Sequence, residues 1–179
     1  MIIFGIDPGT ATTGYGIIKY IKNQKAKIKN AIELVDYGCI VTSKDLEMPL
    51  RLYSIQKQLK GLLKRSKPDC VIVEQLFFGI NSRTAMTVGQ ARGVVLSTAA
   101  GYRLPVFEYQ GLHVKYVLTG DGRADKKKMQ KSVMGYLGKR KLAKPAKGYL
   151  DDAADALAVA ICHVIKSTTG FKSTTGIKG

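Results

Sequence analysis

Asp7, Glu74, Asp152 and Asp155 are four carboxylates far apart in the chain but placed where a fold could gather them. Asp7 closes the apolar run Met-Ile-Ile-Phe-Gly-Ile-Asp, and Glu74 closes the run Asp-Cys-Val-Ile-Val-Glu over 69–74. Sites form where strand ends open onto crossovers. Asp152 and Asp155 are three apart in an alanine-rich stretch, so on a helix both project from one face. Asp151 is rotated by about 100° from Asp152 and points elsewhere. Carboxylates are hard oxygen ligands for Mg2+ or Mn2+. Two such ions about 3.5–4 Å apart clamp a scissile phosphate, one activating the attacking water and the other stabilising the leaving oxygen.

Each acid also has a plainer explanation. Asp7 before Pro8-Gly9 suits a turn, Asp151 and Asp152 at a helix start suit the helix dipole, and Glu74 at a strand end can be solvated. Asp155 resists such an explanation. It lies among alanines and a leucine on a helix that must bury that face, and a bare buried carboxylate is expensive.

The elements that would position these acids follow from periodicity. Residues 1–7, 12–21 and 31–42 read as strands, with the polar stretch Lys22–Asn30 as a hairpin tip. From Pro49 to Arg65, Leu52, Ile55, Leu59, Leu62 and Leu63 share one helical face. A buried strand over 69–74 leads through the loop Gln75–Asn81 into a helix over 82–101. Gly89 and Gly93 disfavour that helix and mark close packing, here between subunits. A last strand over 104–108 precedes helices over 111–118, 125–138 and 150–166, with Asp125 as an N-cap. The order β-β-β-α-β-α-β-α-α-α predicts an α/β fold: a mixed five-stranded sheet flanked by helices. One domain is expected over 1–166. The tail 167–179, which completes a repeated Lys-Ser-Thr-Thr-Gly, is expected to be flexible.

With 179 residues, 45% of them hydrophobic, the chain can bury a core without disulfides. Cys39, Cys70 and Cys162 are odd in number and form no CxxC pair, which suits a reducing cytoplasm. No apolar run reaches the ~18–20 residues that span a bilayer. The start of the chain lacks a positive region and reads as a buried strand, not a leader peptide. The net charge of +16 calls for a polyanionic partner. Charge is densest from Lys115 to Lys147, with eleven basic residues against two acids.

The motifs resemble those of the RuvC family of Holliday-junction resolvases. Gly5-Ile6-Asp7-Pro8-Gly9-Thr10 with Thr13-Gly14-Tyr15-Gly16 opens the likeness, and Ile72-Val73-Glu74-Gln75-Leu76-Phe77 continues it. Gly89-Gln90-Ala91-Arg92-Gly93, Pro105-Val106-Phe107-Glu108-Tyr109 and Asp152-Ala153-Ala154-Asp155-Ala156-Leu157-Ala158 complete it, in the family's order, over about residues 1–165. GIDPGT alone is weak, since sugar-kinase and actin-like ATPases carry a similar loop. The five together are specific.

The resemblance implies a ribonuclease-H-like fold and a crossover junction endodeoxyribonuclease acting in DNA recombination and repair. It implies a homodimer that cuts two opposing strands of a four-way junction symmetrically, with Mg2+, two ions per site, as cofactor and Mn2+ as substitute. It places the catalytic, metal-holding acids on Asp7, Glu74, Asp152 and Asp155. Asp7 would bridge both ions, Glu74 hold one, and Asp152 with Asp155 the other. Phe77 matches an aromatic that stacks on or wedges unpaired bases. Lys115 and Lys126 match basic positions used in catalysis and DNA binding, Lys126 offsetting charge on the phosphate. Lys127 and Arg83 complete the expected DNA-contacting set, and RuvA and RuvB are the implied branch-migration partners. No role attaches to His113, and His163 on its alanine-rich helix reads as structural.

Two alternatives stand beside this reading. One is a YqgF-type nuclease of the same superfold, against which the Phe77 loop and the GQARG helix argue. The other is a non-catalytic junction-binding protein, which would gain nothing from four clustered carboxylates. An actin-like ATPase needs two lobes, and 179 residues leave no room for them.

Overall fold

The computed structural model describes residues 1–22, 28, 31–75, 82–139 and 150–169, with 82–84 and 169 described by backbone alone. Most of the expected hairpin tip, the Phe77 loop, the basic loop after 139 and the tail from 170 lie outside these residues.

Five strands form one sheet in the order β3-β2-β1-β4-β5. The central strand β1 (Ile2–Asp7) pairs antiparallel with β2 (Thr12–Tyr20), and β2 with β3 (Ile32–Val41). On its other side β1 pairs parallel with β4 (Cys70–Gln75), and β4 with β5 (Val106–Gln110). Helices α1 (Met48–Ser66) and α2 (Ser82–Gly101) cover one face. Helices α3 (Gly111–Thr119), α4 (Lys126–Tyr136) and α5 (Leu150–Thr169) cover the other. The mixed α/β sheet expected from the element order is the one observed. Among the described residues no helix is long and apolar enough to cross a membrane.

Strand alternation assigns each apolar residue to a face. Ile3, Ile18, Cys70 and Ile72 join the core beneath α5, while Phe4, Ile6, Ile17, Val71 and Val73 join the core beneath α1 and α2. By the same period of two, Asp7 shares the face of Ile3 and Gly5, and Glu74 that of Cys70 and Ile72. Both acids therefore turn towards α5. That helix is apolar nearly all round, as a buried helix must be: Ala153, Ala156, Leu157, Ala160 and Ile161 are completely inaccessible. Its backbone lies so close to the sheet that a side chain at Gly5 would overlap the carbonyl of Ala156, and one at Gly14 the carbonyl of Asp152.

Two expectations shift. The last strand occupies Val106–Gln110, not 104–108: Arg103 adopts a left-handed turn at φ 56° and Pro105 has no N–H, so regular pairing begins at Val71↔Val106. Helix α5 runs to Thr169, three residues beyond the expected end of the domain. The hydroxyls of Ser167 and Thr168 donate to the carbonyl of Val164 (3.0 and 2.8 Å), bonding back along the helix without ending it. Among the described residues, a Cβ added at Gly89 or Gly93 would meet nothing within 4 Å.

Candidate active site

Asp7 and Glu74 stand at the ends of neighbouring parallel strands. The register Ile6↔Val73 makes them the next pair on the same edge of the sheet. The turn after Asp7 is fixed from both sides. Thr13 Oγ1 donates to the Gly9 carbonyl (2.7 Å), Thr42 Oγ1 donates to the Thr10 carbonyl (2.5 Å), and Arg51 Nε donates to Thr42 Oγ1 (3.0 Å). Helix α5 supplies Asp152 and Asp155 from its first two turns, and the close approach at Gly14 lays that end over the β1–β2 pair.

The four carboxylates act on one another. Burial, then the charges of Glu74, Asp155 and Asp152, push Asp7 from its ordinary 3.8 up to about 8. Burial and Asp155 raise Glu74 to about 7, against the lowering pull of Lys115 and of a hydrogen bond from Asp7. Burial raises Asp155 to about 6, with Lys126 pulling the other way, and raises Asp152, with Asp151 adding to it. The contact between these two carboxyls raises Asp7 and lowers Glu74. Among the described residues no three acidic, histidine or cysteine side chains are already drawn into a coordination shell. Like charges without a cation share protons or stay apart. The donor set fits divalent cations on chemical grounds: four carboxylates, partly desolvated, with mutual repulsion that only positive charge relieves.

Stability should follow the same linkage. With Asp7 at 3.8 unfolded and about 8 folded, the folded protein binds more protons between these values, so metal-free stability falls as pH rises through that window. Divalent cations bind the ionised acids and release those protons. Thermal melts from about pH 5 to about pH 8.5 should show a steeper fall in EDTA than in Mn2+, and equal slopes would contradict the coupling.

The basic residues divide. Lys115 on α3 acts on both Glu74 and Asp155, so its charge reaches the cluster. Gly111, the first residue of α3, abuts Glu74 Oε1, and any side chain there would overlap it. Lys126 opens α4 and acts on Asp155 and Asp152, while its Nζ pairs with Asp151 Oδ2 at 3.2 Å. Lys127 is exposed on α4. Arg83 falls on the first turn of α2, by backbone alone, and Phe77 lies outside the described residues. The structure thus gathers Asp7, Glu74, Asp152, Asp155, Lys115 and Lys126.

The family model "Crossover junction endodeoxyribonuclease RuvC" matches residues 3–163. The chain belongs to the RuvC family. A RuvC relative from Syntrophomonas wolfei is 51% identical over 92% of this chain and 88% of its own. One from Desulforamulus reducens is 47% identical over 94% of this chain and 96% of its own. A solved structure of Thermus thermophilus RuvC in complex with Holliday junction substrate superimposes with a TM-score of 0.82. It is 31% identical and covers 97% of this chain and 98% of that one. The sheet is therefore the ribonuclease-H-like sheet of that family, and the chain is an endodeoxyribonuclease by membership. The YqgF-type alternative gives way to this match.

Contacts with no simple sequence signal tie together the elements around the site. Arg92 of the GQARG stretch pairs with Glu108 of the PVFEY stretch, tying α2 to β5. Tyr109 Oη lies 2.9 Å from His163 Nδ1, and burial pushes that imidazole down to about 4, so His163 is a neutral core residue, as its alanine-rich helix suggests. Cys39 packs beside the cluster, where burial and the charge of Asp152 hold its thiol up at about 11 and unreactive.

Proposed function

We propose that the protein resolves Holliday junctions by hydrolysing a phosphodiester in each of two opposing strands at the Asp7, Glu74, Asp152 and Asp155 cluster. The observation that carries this reading is the convergence of these four acids, from three separate elements, in a chain of this family. Asp7 and Glu74 on the sheet edge and Asp152 and Asp155 on α5 would hold Mg2+ or Mn2+. Asp7 would serve as the shared ligand, because it ends the central strand and the other three acids all act on it. When bound, a pair of such ions makes water a better nucleophile and offsets charge on the leaving oxygen. Lys115 and Lys126 bring positive charge to the rim, where the phosphate gathers negative charge in the transition state. The basic face of α4 with Lys127, together with Arg83 and Phe77, would carry junction arms and bases.

Symmetric cutting needs two sites, hence a homodimer. Supporting it, α1 and α2 cover one sheet face yet leave Leu50, Tyr53 and Met86 exposed, and Gly89 and Gly93 leave open space on α2. RuvA and RuvB would deliver the junction, in the cytoplasm.

The experiment is cleavage of a synthetic mobile four-way junction beside a linear duplex of the same sequence, with Mg2+ and with EDTA. Paired symmetric nicks in the junction alone, abolished by EDTA, are expected. Tight junction binding without nicks in Mg2+ or Mn2+ would overturn the enzymatic reading.

A further inference from the structure

Asp151 neighbours the carboxylate cluster but turns away from it. Its Oδ2 accepts from Lys126 Nζ at 3.2 Å and its Oδ1 from Gln130 Nε2 at 2.7 Å. Lys126 and Gln130 are four apart on α4 and share one face, so that helix grips both oxygens of a single carboxylate on α5. The pair does little for the fold. Lys126 is 74% exposed and Asp151 43%, and ion pairs so exposed add little to stability. Its effect is on where the ammonium stands. A lysine stem this exposed samples many rotamers unless something fixes its end. Asp151 fixes it at the start of the helix that carries Asp152 and Asp155, and both of those acids feel its charge.

We propose that Asp151 is a positioning residue, which anchors the Lys126 ammonium on the rim of the carboxylate cluster while Gln130 holds the Asp151 carboxylate in place. This inference rests on the reading of Lys126 as a lysine that stabilises the reacting phosphate. The pair need not break for that role. An ammonium has three donors, Asp151 takes one, and two remain for phosphate oxygens. The anchoring carboxylate is carried by the residue next to Asp152 on the same helix, so lysine and acids keep one spacing when the junction binds.

Asp151→Asn separates the anchor from its surroundings. The amide oxygen still accepts from Gln130, but the negative charge that holds Lys126 is gone. The single-turnover cleavage rate at saturating junction should fall by up to about fivefold, the most that an exposed ion pair can contribute to holding the ammonium in place. The junction Kd should stay level or tighten, because a negative charge has left a DNA-binding face. The Mn2+ concentration at half-maximal rate should not move. In a Lys126→Ala background Asp151→Asn should change nothing further, since there is no ammonium left to place. Gln130→Leu, which frees the carboxylate without discharging it, should show the same split between rate and affinity at smaller size.

Asp151→Asn that cuts as fast as wild type, or faster, while Lys126→Ala is impaired would overturn the inference. So would a loss of equal size in the Lys126→Ala background, or a shift in the Mn2+ midpoint, which would make Asp151 a ligand in its own right. A Lys126→Ala variant with full activity would sink the reading of Lys126 itself, and is distinguishable from the other outcomes.

Discussion

Asp7→Asn should abolish junction cleavage, by roughly 10³-fold or more, while leaving junction binding at the wild-type level. Asp7 ends the central strand, and the other three acids all act on it. An amide in its place keeps the shape but withdraws the charge that a bridging ligand needs. Binding is spared because affinity for the duplex arms comes from the basic face around α4 and not from the acids, which repel phosphate. The same substitution carries a second, independent readout. Burial and three like charges raise Asp7 to about 8, so its ionisation destabilises the metal-free fold increasingly as pH rises from 3.8 to that value. Asp7→Asn should therefore melt higher than wild type in EDTA at about pH 8.5, by on the order of 2 kcal/mol, and show little difference near pH 5. Gel-shift, cleavage and melting measurements on one preparation check all of this. A variant that loses junction binding along with cleavage, or gains no alkaline stability, would show that Asp7 supports the fold and not the chemistry.

Much of this site was legible in the chain because strand and helix periods are local. The period of two places Asp7 and Glu74 on the face of Ile3 and Ile72, and the period near 3.6 places Asp152 with Asp155 and turns Asp151 aside. The element order followed from apolar patterning, and the element ends less well. Pro105 delays pairing until Val106, and the hydroxyls of Ser167 and Thr168 carry α5 beyond the point where polarity suggests a stop. What the chain did not reveal were contacts between residues distant in sequence. Lys126 with Asp151, Arg92 with Glu108 and Tyr109 with His163 depend on how α4, α2 and β5 dock, which no local period encodes. Gly89 and Gly93 show the converse limit. A glycine pattern implies close approach, yet among the described residues nothing lies within 4 Å of a Cβ added at either. Gly5 and Gly14, which meet carbonyls of α5, lie in strands and stand in the sequence only as parts of motifs.

Gly14→Ala should be among the most damaging single methyls added to this protein. Gly14 pairs with Asp7 across the β1–β2 ladder, and its missing side chain is where the Asp152 carbonyl sits. The obstacle is backbone, which cannot rotate out of the way as a side-chain tip can. The start of α5 must lift, and Asp152 and Asp155 lift with it, while Asp7 and Glu74 stay on the sheet. Overpacking of this kind costs about 1–3 kcal/mol of stability, which a fold with so extensive a core should survive. Catalysis should suffer more, because a displacement near 1 Å between groups that must act together costs ~10²-fold. The expected result is a folded protein that binds junctions, melts a few degrees lower and cleaves at least ~10²-fold more slowly. Raising Mn2+ should recover part of the rate, since the larger ion tolerates looser ligand spacing than Mg2+. Cleavage at the wild-type rate would mean that α5 does not set the separation of the acids, and the geometric account of the cluster would fall with it.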